Sequence, residues 1–279
     1  MSKIAFIVVL YNTRWKDSIA AQSLESAGIS LSNVFVYDNS NDGHIQKSNE
    51  DFRLANYFSL GENRGLSFAY NYLVNEIGNV PDTQYDYVVF MDSDTVFSNT
   101  YFDALRDVNQ QKTDVFLPIV EDVSKPGTIV SPNQKGVLKN KFSSENELPN
   151  LTKINAINSG MVVSKLVLNQ IKFDETLFLD EVDSAFFDEL RRARVTIGLL
   201  RVKIQQNFSA SSISNSDGSR FRFRLRARDL LIYYSHQKWF VRPFGMVKVL
   251  LLGLRNGLHA RSLRFFGIAV SEIFNYFWR

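Results

Sequence analysis

Short apolar runs alternate with segments of helical spacing along the first ~100 residues of the chain. Ile4–Leu10 is a continuous apolar run, as in a strand that is buried on both faces. Similar short runs predict strands over residues 34–37, 54–60 and 87–91. The segments between them predict helices over residues 13–28 and 66–77. Strands that alternate with helices predict right-handed crossovers, so the fold class is α/β with a mainly parallel sheet.

The second half of the pattern is less regular. Residues 115–120 predict another strand, and the proline-containing segment 121–153 predicts a long excursion. Residues 158–163 lead into a strand, and residues 181–194 begin with acids and end with arginines, as helices do. Residues 195–204 predict the last strand, before a serine-rich linker over 209–219. We therefore predict a catalytic domain over residues 1–210 and a separate helical region over 220–279.

Polar clusters follow several of the predicted strands, where open α/β sheets bind ligands. Asp92 and Asp94 follow the fourth strand and have the oxygen donors that Mg²⁺ and Mn²⁺ prefer. The alternative for this pair is a turn or a helix cap. Asp38 ends the second strand, where a carboxylate can accept the imide N–H of uracil or thymine, although a turn residue is the alternative. Gly65 allows the backbone to approach a ligand closely before the next helix.

Asp180, Glu181 and Asp183 form an acidic cluster. A carboxylate whose pKa is raised by like-charged neighbours can act as a general base. The alternative is a solvated helix N-terminus, where acidic residues are common.

In combination, these motifs make the chain similar to family 2 glycosyltransferases of the GT-A fold, particularly the bacterial rhamnosyl- and galactofuranosyltransferase-like branch. The resemblance covers roughly residues 3–205. It depends on six features in order: Val8-Val9-Leu10-Tyr11-Asn12, Asp38, Gly61-Glu62-Asn63-Arg64-Gly65, Asp92-Ser93-Asp94, Asn158-Ser159-Gly160 and the acidic residues 180–183. It implies a Rossmann-like, mainly parallel central sheet flanked by helices, followed by a basic helical appendage.

The resemblance also implies a role for individual residues. Val9 and Tyr11 would line the base pocket, Asp38 would pair with the pyrimidine, and Asn63 and Gly65 would border the nucleotide. Asp92 would lie near the ribose or the metal, and Asp94 would bind a divalent cation, Mn²⁺ or Mg²⁺. Asp180 is the first choice for the general base, with Glu181 and Asp183 as alternatives. Many relatives have a His after the last strand, whereas residues 205–208 of this chain contain none.

The implied reaction is an inverting transfer of a sugar from a UDP- or dTDP-sugar to a hydroxyl group. The acceptor would be a glycan or a lipid-linked glycan in bacterial cell-surface polysaccharide biosynthesis, such as capsule or exopolysaccharide formation. A catalytically inactive protein of the same fold, which binds nucleotide-sugars or acts as a scaffold, is the alternative.

The charged residues are distributed unevenly along the chain. The 279 residues are 45% hydrophobic with a net charge of +3 and no cysteine, which excludes a disulfide scaffold and a cysteine nucleophile. The charge is uneven: residues 220–279 contain 12 Lys and Arg but only Asp229 and Glu272, a balance of +10. The other residues have a balance of −7, which indicates two parts with different partners.

The basic region has two patterns. Arginines alternate with other residues over 220–228, which predicts an extended segment, and residues 244–278 combine apolar and basic side chains like an interfacial amphipathic helix. We therefore expect the region to bind an anionic membrane surface, which would make the protein cytoplasmic and peripheral at the inner face of the cell membrane. Packing on the catalytic domain and a homo-oligomer interface are alternatives. Nucleic acid is not an expected partner, because no known nucleic-acid motif accompanies the basic residues.

Overall fold

The computed structural model describes residues 3–52, 54–80, 85–134, 154–206 and 214–278. The strands of its main sheet are β1 (Ile4–Leu10), β2 (Val34–Asp38), β3 (Tyr57–Ser59), β4 (Tyr87–Asp92), β5 (Val115–Asp122), β6 (Ile129–Ser131), β9 (Val162–Ser164) and β10 (Ile197–Gln206). They lie in the order β10-β5-β9-β4-β1-β2-β3, and β6 pairs with β5. A second, two-stranded sheet consists of β7 (Asn133–Gln134) and β8 (Ile154–Asn155).

The sheet is mostly parallel, as predicted. Strand β1 pairs in parallel with β2 and β4, β2 pairs in parallel with β3, and β10 pairs in parallel with β5. The exceptions are β9, which is antiparallel to both β4 and β5, and β6, which is antiparallel to β5. The α/β fold class is confirmed.

The central strands are buried because helices cover both faces of the sheet. Along β1, Ala5 and Ile7 belong to one hydrophobic cluster, whereas Phe6, Val8 and Leu10 belong to the other. This alternation is the period-two geometry of a strand with a core on each side. The helices of this part are α1 (Ile19–Ser26), α2 (Gly43–Asp51), α3 (Leu66–Asn79), α4 (Asn99–Ala104), α5 (Lys165–Gln170) and α6 (Val182–Arg192).

The first predicted helix differs from the one observed. Residues 13–28 contain a short 3-10 helix, Trp15–Asp17, and then α1. The hydroxyl of Ser18 caps α1 by accepting a hydrogen bond from the N–H of Ala21 at 3.3 Å. The break at Ser18 therefore replaces the continuous helix that the apolar spacing predicted.

Three C-terminal helices pack on one another: α7 (Asp217–Ser235), α8 (Arg242–Ala260) and α9 (Arg264–Phe277). Their shared core contains Phe223, Leu230, Val249 and Phe265, which are all buried. The part of the chain that the structure describes contains no helix with the length and apolarity needed to cross a bilayer.

The prediction of an extended segment over residues 220–228 is wrong, because this stretch lies inside α7. Phe223, Ala227 and Leu230 are buried together, and their spacing of four and three residues is helical. The arginines of the same stretch recur every second residue, and this pattern led to the extended prediction. As a helix must, α7 distributes the arginines around its circumference rather than along one edge.

The helix α7 also packs against the first part of the chain. Tyr233 belongs to a hydrophobic cluster of the sheet, and its hydroxyl donates to Asp188 Oδ2 at 3.0 Å. Gln237 Nε2 donates to the same oxygen at 2.8 Å. Of the predicted linker over 209–219, residues 209–213 lie outside the described residues and 217–219 belong to the first turn of α7.

Helices α8 and α9 pack closely at Gly253. A Cβ atom at Gly253 would lie 2.7 Å from Ala269 Cβ and 3.1 Å from Phe265 O, so Gly253→Ala must separate the two helices. We expect a net loss of about 1–2 kcal/mol in the free energy of unfolding, measured by urea denaturation.

Gly267→Ala on α9 is the matched control, because nothing lies within 4 Å of its Cβ position. Helix propensity should raise the stability of this variant by up to about 1 kcal/mol. Equal stability of the two variants would show that α8 and α9 do not approach this closely.

Candidate nucleotide-sugar site

The carboxyl ends of β1, β2 and β4 meet at one edge of the sheet. Leu10 is in register with Asp38, and Val9 is in register with Asp92. Val9 is partly buried, and Tyr11, just beyond the strand, is 50% exposed. The predicted base-pocket, pyrimidine and metal residues of these strands therefore lie at the same edge.

Asp38 is fully buried and is held by hydrogen bonds from within the chain. Its Oδ1 accepts the backbone N–H of Ser40 at 2.9 Å. Its Oδ2 accepts Asn49 Nδ2 at 2.7 Å and the Tyr57 hydroxyl at 2.8 Å. Burial of a carboxylate is costly without such donors, so these contacts fix Asp38 at the end of β2.

Asn39 connects the end of β2 to the loop before α3. Its Oδ1 accepts the backbone N–H of Arg64 at 2.8 Å, and its Nδ2 donates to Gly65 O at 3.1 Å. Asn63 Oδ1 accepts the backbone N–H of Gly65 at 3.0 Å within the same loop. Asn63 and Gly65 are thus held next to the strand end that contains Asp38.

Asp92 and Asp94 lie at the end of β4 in different environments. Asp92 is partly buried, whereas Asp94 is exposed. Burial, together with repulsion from Asp94, raises the pKa of Asp92 to about 6, although hydrogen bonds to Gln206 and Ser159 oppose the shift. Gln206 Nε2 donates to Asp92 Oδ2 at 3.1 Å. Gln206 belongs to the stretch over residues 205–208, which contains no His.

The turn formed by Asn158, Ser159 and Gly160 packs directly on this strand end. Gly160 N donates to Phe90 O at 2.7 Å, and Ser159 Oγ donates to Thr95 Oγ1 at 3.0 Å. Gly160 has a φ of +76°, and a Cβ atom there would lie 2.7 Å from Pro118. Only glycine fits this turn without strain.

The segment before the acidic helix contacts the Gly65 loop. Leu66 N donates to Phe178 O at 2.6 Å, and a Cβ atom at Gly65 would lie 2.8 Å from the same oxygen. Gly65 has a φ of +89° as well. Gly65 therefore also allows Phe178, just before the acidic residues 180–183, to lie against the nucleotide loop.

The three acidic candidates are not equivalent. Asp180 pairs with Arg222 of α7, and Arg226 Nε lies 3.9 Å from its other oxygen. Glu181 is the N-cap of α6 with a φ of +59°, and its Oε1 lies 3.2 Å from Lys248 Nζ. Both carboxylates therefore form ion pairs with the C-terminal helices.

Asp183 lies in the first turn of α6, and its charge acts on a different group. Tyr70 is buried on α3, and its pKa is raised well above the usual value, first by burial and then by the charges of Asp92 and Asp183. Both carboxylates are thus close enough to influence one hydroxyl. Charges from the predicted metal motif and from the acidic helix therefore both act on Tyr70.

Several residues of this site were not predicted from the sequence: Asn39, Asn49, Tyr57, Tyr70 and Gln206. Each contacts or lies close to a predicted residue, but comes from another element of the fold. Asn39 adjoins Asp38 in a polar cluster, and this position was the only local signal for it.

No cluster of three or more His, Asp or Glu side chains arranged to hold a metal occurs among the described residues. Asp92 and Asp94 have oxygen donors of the type that Mg²⁺ and Mn²⁺ prefer, and both ions commonly retain water and substrate phosphate as further ligands. The repulsion between these two carboxylates is the kind of interaction that a bound cation relieves. The pair therefore fits a cation that is shared with a diphosphate.

Comparison with solved structures identifies the fold. Staphylococcus aureus TarS 1–349 in complex with UDP-GlcNAc aligns with 98% of this chain and 89% of its own, at 16% identity and a TM-score of 0.53. The Pyrobaculum calidifontis mannosyltransferase PcManGT, in complex with GDP-Man and Mn²⁺, aligns over 97% and 74%, at 12% identity and a TM-score of 0.51. A longer TarS structure aligns with 98% of this chain, at 17% identity and a TM-score of 0.52, and this chain spans 54% of it.

No family profile and no curated protein sequence matches the chain. The likeness to solved structures is one of fold, and that fold is GT-A.

A pair of glycines tests the contact between the nucleotide loop and the acidic segment. Gly61 and Gly65 both have a positive φ, but only Gly65 has a neighbour within 4 Å of its Cβ position. We expect Gly61→Ala to cost about 1 kcal/mol of unfolding free energy through backbone strain. Gly65→Ala should cost about 1–3 kcal/mol more, because Phe178 must move.

Urea denaturation of both variants provides the measurement. The difference between them reports the Phe178 contact together with the backbone cost at Gly65, whose φ of +89° and ψ of 167° favour glycine alone. Equal losses would contradict the close approach.

Proposed function

We propose that the protein is an inverting glycosyltransferase that uses a UDP- or dTDP-sugar as its donor. The observation that supports this most is that Asp38, Asp92 and the Gly65 loop meet at one edge of a sheet with the GT-A fold. Leu66, which follows Gly65, donates to Phe178 O, a few residues before the acidic helix α6. That arrangement brings the residues expected to bind the donor diphosphate close to a carboxylate that can accept a proton.

The nucleotide would bind at the edge formed by β1, β2 and the Gly65 loop. Oδ1 of Asp38 accepts one hydrogen bond within the chain, which leaves a lone pair for the imide N–H of uracil or thymine. Because Asp38 is fully buried, this contact requires neighbouring side chains to shift when the base enters. Uracil and thymine present the same imide edge, so either base fits.

Asp94 and Asp92 are the residues that would hold a divalent cation, Mn²⁺ or Mg²⁺. When bound, the cation would stabilise the negative charge on the departing nucleoside diphosphate. The Gln206 hydrogen bond orients Asp92 for this role, and Asp94 extends into solvent.

Asp183 is the best candidate for the general base. Asp180 and Glu181 each form an ion pair with a C-terminal helix, through Arg222 and Lys248. Asp183 lies in the first turn of α6, and its charge acts with that of Asp92 on the buried Tyr70. From there, Asp183 would remove the proton of an acceptor hydroxyl as that oxygen attacks the anomeric carbon and the diphosphate leaves from the opposite face. A single displacement of this kind inverts the anomeric configuration.

Two matched variants test the choice of base. We expect Asp183→Asn to lower the rate of sugar transfer by about 10²–10⁴-fold, because general base catalysis is lost. Asp180→Asn should lower it by less than about tenfold, because it removes only a partly exposed ion pair. The measurement is nucleoside diphosphate release in the presence of acceptor.

The reverse order of effects would assign the base to Asp180. Near-normal transfer by both variants would exclude both residues from this role. Binding of nucleotide to the unmodified protein without any transfer would support an inactive nucleotide-sugar-binding or scaffold protein.

The acceptor is proposed to be a glycan or a lipid-linked glycan, reached from an anionic membrane surface during cell-surface polysaccharide synthesis. Support comes from an apolar face on α8 and α9. On α8 the exposed apolar residues recur every three or four positions: Phe244, Val247, Leu251, Leu254 and Leu258. On α9 and at its ends they are Leu263, Phe266, Val270, Phe274, Phe277 and Trp278.

Exposed basic residues accompany this apolar face: Lys238, Arg242, Arg255, Arg261 and Arg264. Apolar side chains beside basic ones fit the interface of a bilayer that contains anionic lipids. This location would place the protein at the inner face of the cell membrane, where a lipid-linked acceptor is within reach.

Charge substitutions on the apolar face test the membrane proposal. We expect Leu251→Glu combined with Leu258→Glu to weaken binding to vesicles of phosphatidylcholine and phosphatidylglycerol by at least about 10²-fold, because two apolar contacts are lost. Cosedimentation at low and high salt gives the measurement, and salt should weaken the binding of the unmodified chain.

Leu166→Glu is the control, because Leu166 is 74% exposed on α5, away from this face. Absence of vesicle binding by the unmodified chain would contradict the membrane proposal. A stable dimer that the double substitution dissociates would instead identify the face as a contact between copies.

A further inference from the structure

Asp229 of α7 is a fully buried carboxylate that takes no part in the chemistry described above. Its Oδ1 accepts the backbone N–H of Phe178 at 3.1 Å. Its Oδ2 accepts the N–H groups of Leu179 and Asp180, each at 2.8 Å. Burial raises the pKa of Asp229, and these three donors oppose the shift. One side chain therefore binds three consecutive backbone N–H groups in another part of the chain.

The segment that Asp229 holds is connected to both halves of the candidate site. At its start, Phe178 O accepts the N–H of Leu66, beside Gly65 of the nucleotide loop. At its end, the chain passes through Glu181 in a left-handed conformation and enters α6, whose first turn contains Asp183. The position of this segment thus determines where the nucleotide loop and the acidic helix lie relative to each other.

Hydrogen bonds to a charged group are stronger than neutral ones, and they have direction. The carboxylate of Asp229 therefore restrains the three peptide groups more firmly than apolar packing of α7 would. Two ion pairs, Asp180 with Arg222 and Glu181 with Lys248, reinforce the same segment from α7 and α8. These pairs are partly exposed, so each contributes less.

We propose that Asp229 is a positioning residue for sugar transfer, which makes α7 a part of the active site rather than a detachable appendage. The proposal rests on the proposed glycosyltransferase function. It implies that the functional boundary of the catalytic domain lies beyond residue 210 and includes α7.

Amide hydrogen exchange tests the structural part of this proposal without any substrate. Asp229→Asn keeps the side-chain shape but presents an N–H₂ group to one of the backbone donors. We expect exchange at residues 178–180 to become about tenfold faster or more, because the hydrogen bonds to the carboxylate are weakened.

Tyr233→Phe is the matched control on the same helix. It removes the hydrogen bond from α7 to Asp188 but leaves residues 178–180 untouched. Exchange at 178–180 should therefore stay as in the unmodified chain. If Asp229→Asn does not fold, Asp229→Ser, which retains one acceptor oxygen, takes its place.

Kinetics test the functional part. We expect Asp229→Asn to lower kcat for transfer by on the order of 10²-fold, because a small misplacement of reacting groups has an effect of this size. The affinity for UDP in the presence of Mn²⁺ should change by less than about threefold, because Asn39 still holds the Gly65 loop and Asp38 and Asp92 lie on other elements. A threefold change is under ~1 kcal/mol. Tyr233→Phe should leave kcat within about twofold, because Gln237 still donates to Asp188 Oδ2 and Asp229 still holds residues 178–180.

Unchanged exchange at 178–180 in Asp229→Asn would overturn the proposal, and so would faster exchange with an unchanged kcat. Failure of the proposed function is distinguishable from both outcomes. In that case the unmodified protein would transfer no sugar from UDP-, dTDP- or GDP-sugars, and exchange at 178–180 would still report whether Asp229 holds the segment.

Discussion

The backbone of residues 178–180 is held from two sides, and the geometry of the candidate site depends on this. On one side, Leu66 donates a hydrogen bond to Phe178 O, and Gly65 leaves room for the approach. On the other side, Asp229 accepts all three N–H groups of the segment. The first contact connects the acidic segment to the nucleotide loop, and the second connects it to the C-terminal helices. Since Asp183 follows a few residues later, the proposed base is positioned by both.

The uneven charge of the chain corresponds to contacts between its two parts. Part of the positive charge of the C-terminal helices neutralises the acidic segment, through the pairs of Arg222 with Asp180 and Lys248 with Glu181. Arg224 lies 3.3 Å from Glu272 within the helical region itself. The basic residues beside the apolar face of α8 and α9 are exposed and stay available to an anionic surface. The positive charge of residues 220–279 therefore has two parts. Some of it pairs with acidic residues of the same molecule, and the rest is proposed to bind an anionic surface.

The sequence predicts the sheet well because each central strand is apolar on both faces and ends in polar residues. For the same reason, it predicts that Asp38, Asp92 and the Gly65 loop share one edge. The extended prediction for the arginine-rich stretch failed because the alternation of Arg with Phe, Leu and Ala has period two, although Phe223, Ala227 and Leu230 have helical spacing.

Contacts between distant elements had no local signal. Gln206 reaches Asp92 across 114 positions, and Asp229 reaches Phe178 across 51. In the sequence, Asp229 is only one acidic residue in a basic stretch, and nothing nearby indicates that three backbone N–H groups will surround it. The ion pairs of Asp180 with Arg222 and of Glu181 with Lys248 likewise join residues that are far apart in the sequence.

We propose that this edge of the sheet binds a nucleotide-sugar and activates its transfer. The most direct test is nucleoside diphosphate release from UDP-, dTDP- and GDP-sugars by the purified protein with Mn²⁺ or Mg²⁺, beside an Asp94→Asn variant. We predict release from a UDP- or dTDP-sugar that depends on the cation and is lost in the variant. Absence of release from every donor, or equal release by the variant, would contradict the account.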